Sequence, residues 1–97
     1  MKFNEYYEYY LSLHQNLVCR RLHFVGQLFT ISFSALVLYE WYWYLIPVIP
    51  FVIYPFAWSG HYFFEGNKPA AFKNPFYAKI SDWLMFRDIL VGKIKIW

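Results

Sequence analysis

Charge is the first thing this chain lacks: 15% of its 97 residues are Asp, Glu, Lys or Arg, where a soluble domain carries about 25%. Cysteine is nearly missing as well, and a lone Cys19 excludes a disulfide-stapled secreted domain. No internal repeat, low-complexity tract or linker interrupts the sequence, so there is room for one domain. What the chain has instead is apolar and aromatic, at 60% and 27% of its residues. Disordered chains are poor in aromatics, which excludes disorder. So short a chain has too little interior to hide that much Phe, Tyr and Trp from water. The composition points to lipid.

The few charges are also unevenly placed. Residues 22–39 contain none, Glu40 stands alone, and residues 41–64 again contain none. As helices these windows reach ~27 Å and ~36 Å, against a hydrocarbon core of ~30 Å. The pattern predicts an all-α membrane protein with spans over 17–39 and 43–65, joined at Glu40 as one transmembrane helical hairpin. Pro47, Pro50 and Pro55 should kink the second span or break its first half. Trp41, Tyr42, Trp43 and Tyr44 fit an aromatic belt at the turn.

All nine Lys and Arg residues fall before residue 22 or after residue 64, outside the charge-free windows. The positive-inside rule therefore predicts an integral membrane protein with both termini cytoplasmic. The membrane is the inner one in a bacterium and the endoplasmic reticulum in a eukaryote. Glu5, Glu8 and Gln15 interrupt the first twenty residues, so no cleavable signal peptide is expected. A formal net charge of +3 suits anionic headgroups. The basic residues form no dense patch, so no nucleic-acid partner is expected.

The flanks, 1–15 and 75–91, are expected to be amphipathic interfacial helices. Phe3, Tyr6, Tyr7, Tyr10, Leu11 and His14 follow one helical stripe. Asn16 can cap the helix that enters the first span. Asn74 and Pro75 form an N-cap and N1 pair, and Gly92 suits a C′ position. On that last helix Ile80, Trp83, Leu84 and Val91 mark a broken apolar face, with Lys79, Asp82 and Asp88 off it.

His14, His23 and His61 are the only histidines. A hairpin returns His61 to the depth of His23, and His14 lies on the helix entering that same side. Glu65 is four residues after His61, hence on one helix face with it. Helical pairs at such spacing can supply two ligands to one metal. Three imidazoles and a carboxylate suit non-haem Fe(II), Mn or Zn. Each residue also has a plain structural role available. His14 and His23 can bond backbone carbonyls, Glu65 can pair with Lys68, and Arg20, Arg21 and Lys68 can anchor the chain to headgroups. In a functional role these three cations would hold a carboxylate or phosphate beside the histidines. Cys19 reads as an inert juxtamembrane thiol.

The run Tyr10-Leu-Ser-Leu-His14-Gln-Asn16, then Arg21-Leu-His23-Phe-Val-Gly26, then Gly60-His61-Tyr-Phe-Phe-Glu65-Gly-Asn-Lys68-Pro69-Ala70 resembles the Mpo-like family of small membrane proteins. The three blocks cover residues 10–71 in the family's order. Its characterised fungal branch is a reticulum-resident Fe(II)-dependent dioxygenase that shortens 2-hydroxy fatty acids by one carbon. The resemblance implies Fe(II) as cofactor, with catalytic and iron-binding roles for His14, His23 and His61. Glu65 matches a motif position and joins them as a metal-ligand candidate. It also implies a fatty-acid substrate and O₂ as partners, with the substrate carboxylate at Arg20, Arg21 or Lys68. Two departures stand out. The fungal enzymes carry an additional hydrophobic hairpin between the second and third blocks, which leaves homo-oligomerisation as one way to complete a pocket. Gly66 also replaces the basic residue expected after the Glu.

Two functions compete on this sequence. One is a membrane-embedded, dioxygenase-like oxidoreductase of lipid metabolism; the other is a non-catalytic scaffold or lipid-binding subunit whose histidines are structural.

Overall fold

A computed structural model describes residues 2–69 and 74–96. Ala70, which ends the third sequence block, lies outside the described residues, as does the cation Lys73. The described chain is helical throughout, with no strand. Helix α1 covers Phe3–Ser12 and α2 covers Leu17–Tyr39. A 3₁₀ helix at Trp43–Phe51, α3 at Tyr54–Gly60 and a π turn at His61–Glu65 form the return. Helix α4 covers Pro75–Leu90.

The caps are local chemistry. The Asn16 side chain accepts from the backbone N–H groups of Val18 and Cys19, satisfying two donors at the start of α2. Asn74 accepts from the Tyr77 N–H ahead of α4, and Gly92 leaves that helix at φ +84°. Prolines break the return segment as their chemistry demands. Pro47 and Pro50 lie in the 3₁₀ stretch, and Pro55 sits in the first turn of α3, where its missing N–H costs nothing.

The return segment packs antiparallel along α2. Gly60 lies against Cys19, and Gly26 against Ile53 and Phe56. A Cβ on Gly26 would come within 2.5 Å of Ile53, and one on Gly60 within 2.9 Å of the Cys19 sulfur. Both glycines let the helices approach closely, as small residues do between membrane helices. The buried stripe of α2 is narrow and partly polar: Cys19, His23, Gly26, Gln27, Thr30 and Val37. Its outer faces expose Leu28, Phe29, Ile31, Leu36 and Leu38. Both Leu17–Tyr39 and Trp43–Glu65 are long and apolar enough to cross a membrane.

At the other end of the molecule α1 packs on α4. Tyr6 and Tyr10 form a core with Ala78 and Met85. The α1 stripe predicted from its spacing is thus a packing face. For α4 the sequence reading is reversed. Asp82 and Asp88, expected off the covered face, are buried, whereas Ile80, Trp83 and Val91 are exposed. The physical reason is that α1 presents tyrosines, whose hydroxyls need acceptors when buried. Tyr10 donates to Asp82, and Tyr7 donates to Asp88 at 2.6 Å.

Candidate metal centre

The connection between α1 and α2 places His14 where the two helix ends meet. Its ring stacks on Tyr10, one turn back, with centroids 4.1 Å apart. His23 lies on the buried stripe of α2, and His61 opens the π turn, a distortion frequent at functional sites. All three imidazoles are buried and meet nearly edge to face. Their ring centroids are 4.4 Å (His14–His23), 4.5 Å (His14–His61) and 5.3 Å (His23–His61) apart. The cavity they line has a volume of about 20 Å³, also bounded by Tyr10, Tyr54 and Asp82. That is room for one water or one ion.

The hydrogen bonds fix the tautomers. His14 Nδ1 lies 2.6 Å from the Tyr10 carbonyl, and His23 Nδ1 lies 2.8 Å from the Cys19 carbonyl. A carbonyl oxygen only accepts, so each Nδ1 carries the proton and each Nε2 keeps a lone pair. For His61 the partner is the Asn67 side chain, at 2.7 Å from Nδ1. The Asn67 amide nitrogen donates to the Leu13 carbonyl at 3.1 Å, which orients the amide oxygen toward the imidazole. His61 Nδ1 is therefore a donor as well.

Every Nδ1 thus faces outward to an acceptor, and every Nε2 is left to the shared space. His14 Nε2 and His23 Nε2 are 3.1 Å apart. Burial, with His23 and His61 as neighbours, holds the His14 pKa well below the ordinary histidine range, so His14 stays neutral at neutral pH. Two lone pairs facing each other at that distance repel unless a cation lies between them. Two imidazole nitrogens ~2.1 Å from one ion stand ~3–4 Å apart, so the spacing fits a metal. Outward Nδ1–H bonds of this kind are also how metal-binding histidines are oriented.

The chain's turn beyond His61 depends on glycine. Gly66 adopts φ +72°, a left-handed conformation that side chains resist, and its N–H closes on the His61 carbonyl at 2.8 Å. That reversal brings Asn67 back to His61. The glycine that departs from the family pattern is the residue the observed turn requires.

Of the candidate ligands, His14, His23 and His61 converge. The fourth member of the convergent group is Cys19, whose ligand atom lies with theirs inside a 4.8 Å sphere of mutual distances. Glu65 is not in that group; its carboxylate accepts the backbone N–H of Asn16 at the start of α2. A carboxylate there also favours the positive end of the helix. Of the cations expected to hold a carboxylate, the two arginines have backbone carbonyl partners. Arg20 donates to the His14 carbonyl at 2.6 Å and to the Lys95 carbonyl at 3.1 Å, and Arg21 donates to the Ile96 carbonyl. Together they fasten the C-terminal segment to the start of α2. Lys68 is exposed.

Sequence reasoning passed over four participants. Asn67 lies within the third block and was legible there as an amide six residues after a histidine. Cys19 is four residues before His23, the spacing of a shared helix face. Tyr10 and Asp82 come from opposite ends of the sequence, and no local spacing links them. Burial raises the Asp82 carboxyl to about 6, and burial together with the adjacent Asp82 raises the Tyr10 hydroxyl strongly.

Neither a curated protein nor a solved structure matches the chain closely enough to add a second comparison. A family model does match. The one described as "2-hydroxy-palmitic acid dioxygenase Mpo1-like" covers residues 1–94, nearly the whole sequence. On that match, and with a buried His/Cys group able to hold a metal ion, the chain belongs to the 2-hydroxy-palmitic acid dioxygenase Mpo1-like family.

Proposed function

We propose that this protein is a membrane-embedded, Fe(II)-dependent dioxygenase that removes one carbon from a 2-hydroxy fatty acid or a similar lipid. The observation that carries the reading is the convergence of three buried imidazoles on one small cavity, each oriented by an outward Nδ1–H bond. The family name supplies the reaction class. His14, His23 and His61 would hold the metal through Nε2, with the Cys19 sulfur beside them. When bound, Fe(II) supplies redox chemistry with O₂ and open positions for the oxygens of a 2-hydroxy carboxylate.

The protein's own groups do the positioning. The Tyr10 carbonyl, the Cys19 carbonyl and the Asn67 amide hold the three rings in one tautomer. Tyr10 also keeps a proton at its hydroxyl, directed at Asp82, on the wall of the same cavity. Ala57, Ala78 and Tyr54 complete a largely apolar lining.

The apolar outer faces of α2 and of the return segment support a transmembrane hairpin. Tyr39, Trp41, Trp43 and Tyr44, all exposed at the turn, suit the far interface. Both termini then lie on the cytoplasmic side, where the basic residues are.

The test is turnover. The purified chain in nanodiscs, loaded with Fe(II) under argon, is given 2-hydroxyhexadecanoate and then O₂. The expected product is one carbon shorter, absent with His61→Ala. An equal product yield from His61→Ala would overturn the proposal.

A further inference from the structure

Beside the histidine cavity lies a much larger space that neither the family match nor the metal site explains. It has a volume of about 560 Å³, within the range of pockets that hold small molecules. Its walls are Ile46, Pro47, Ile49, Pro50 and Ile53 from the return segment, with Trp83 of α4 opposite. Into this apolar space the protein introduces two nitrogen donors.

One is Lys79 of α4, the only charged residue on its lining among the described residues. Its ammonium donates to the Pro50 carbonyl and sits 4.6 Å from the Tyr54 ring centroid. Tyr54 lines the histidine cavity, and so do Ala78 and Asp82, one and three residues from Lys79. Lys79 therefore stands at the boundary between the two spaces. The other donor is Gln27, one helical turn beyond His23 on α2. Gln27 is 2% exposed, yet its amide nitrogen has no hydrogen-bond partner among the described residues. An orphaned buried donor is costly unless something accepts from it.

An apolar groove, a cation where it adjoins the histidine cavity and an unfilled donor on the same lining describe one ligand chemistry. We propose that the groove binds a single long-chain fatty acid, with its acyl chain among Ile46, Ile49, Ile53 and Trp83 and its carboxylate held by Lys79 and Gln27. This deepens the proposed function and rests on it only for the identity of the reaction. It moves the carboxylate contact from Arg20, Arg21 and Lys68 to a cation that lines the groove and packs on Tyr54 of the histidine cavity.

The test is photolabelling of the full chain in nanodiscs with hexadecanoic acid carrying a diazirine on its chain. Labelled positions are mapped by mass spectrometry, with hexadecanoate or its methyl ester as competitor. Expected labelling concentrates on residues 46–53 and on Trp83, and the acid competes at least about tenfold better than the ester. Lys79→Met should erase that preference, Lys79→Arg should keep it, and Gln27→Leu should reduce it severalfold. Ile49→Trp, which fills the groove, should lower labelling itself. Helical circular dichroism shows which variants fold, and the Arg variant covers a Met variant that does not. Labelling spread over the outer faces of α2, or a Lys79→Met protein with the full acid preference, would overturn the inference. The same experiment in chelator and on His61→Ala separates the two proposals. Labelling that persists there upholds the groove even if the metal reading fails. Metal bound without groove labelling overturns the groove alone.

Discussion

The two ends of the helical pair are built differently. At the histidine end every imidazole has a partner, glycines bring the helices together, and two arginines fasten the C-terminal segment. At the turn end the 3₁₀ segment Trp43–Phe51 has no buried residue, and Tyr39 is 87% exposed. One end is ordered by the protein's own contacts; the other presents apolar surface and relies on its surroundings to cover it. Local precision is concentrated where chemistry needs atoms held in place, and the rest only has to span. The charged and hydrogen-bonding groups are gathered at the histidine end, and residues 41–64 of the return carry no charge.

That contrast can be broken from the histidine end. Asn67→Ala removes the acceptor that orients His61 while leaving the ring in place. Iron affinity should fall about 10–100-fold, as for other partners of metal-binding histidines. A titration of iron into chelator-stripped protein measures it, and unchanged affinity would leave Asn67 with no orienting role. Tyr10→Phe strips a donor from the buried Asp82 and should cost ~1–3 kcal/mol of stability in a thermal or denaturant melt.

Asp82 also gives the histidine end a pH dependence. Burial lifts its pKa in the folded protein to about 6, from 3.8. Between those values the folded chain holds a proton that the unfolded chain has released. The Asp82 contribution to stability is therefore present at low pH and is lost as pH rises through about 4 to 6. Asp82→Asn should flatten that part of the stability curve, measured by melts of chelated protein; an unaltered slope would rule the contribution out.

Smaller effects sharpen the same contrast. Gly66→Ala meets no side chain but must adopt a positive φ, at a cost of ~1 kcal/mol, and should loosen iron binding through Asn67. Trp43→Ala at the turn should change iron affinity least, by under about 0.5 kcal/mol. A Trp43 variant that loses iron as Asn67→Ala does would show that the two ends are not independent.

The sequence made one kind of information available and hid another. The charge-free windows announced the two long helices, and their reversal at Glu40 implied that His23 and His61 share a level. Asn16, Asn74 and Gly92 were readable because capping is local. The polar pairs that hold α1 to α4 were not. Asp82 and Asp88 looked outward because a carboxylate on a helix is ordinarily solvated; only the tyrosine hydroxyls of α1, more than seventy residues away, give them a reason to be inside. The arginine contacts were hidden similarly. Besides the His14 carbonyl, their partners lie in residues 95–96, a segment whose position no spacing in the sequence specifies. Glu65 accepts the backbone N–H of Asn16 at the cap of α2, a partner on a distant element that no local spacing reveals.

The central claim is that three Nε2 atoms share one metal ion. The most direct test is metal content by mass spectrometry of protein purified in detergent without oxygen, for the parent chain and for His14→Ala, His23→Ala and His61→Ala. The account predicts near-stoichiometric iron in the parent chain and its loss in each of the three variants, with helical content retained. A metal-free parent whose variants fold and behave identically would contradict it and leave the histidines as packing.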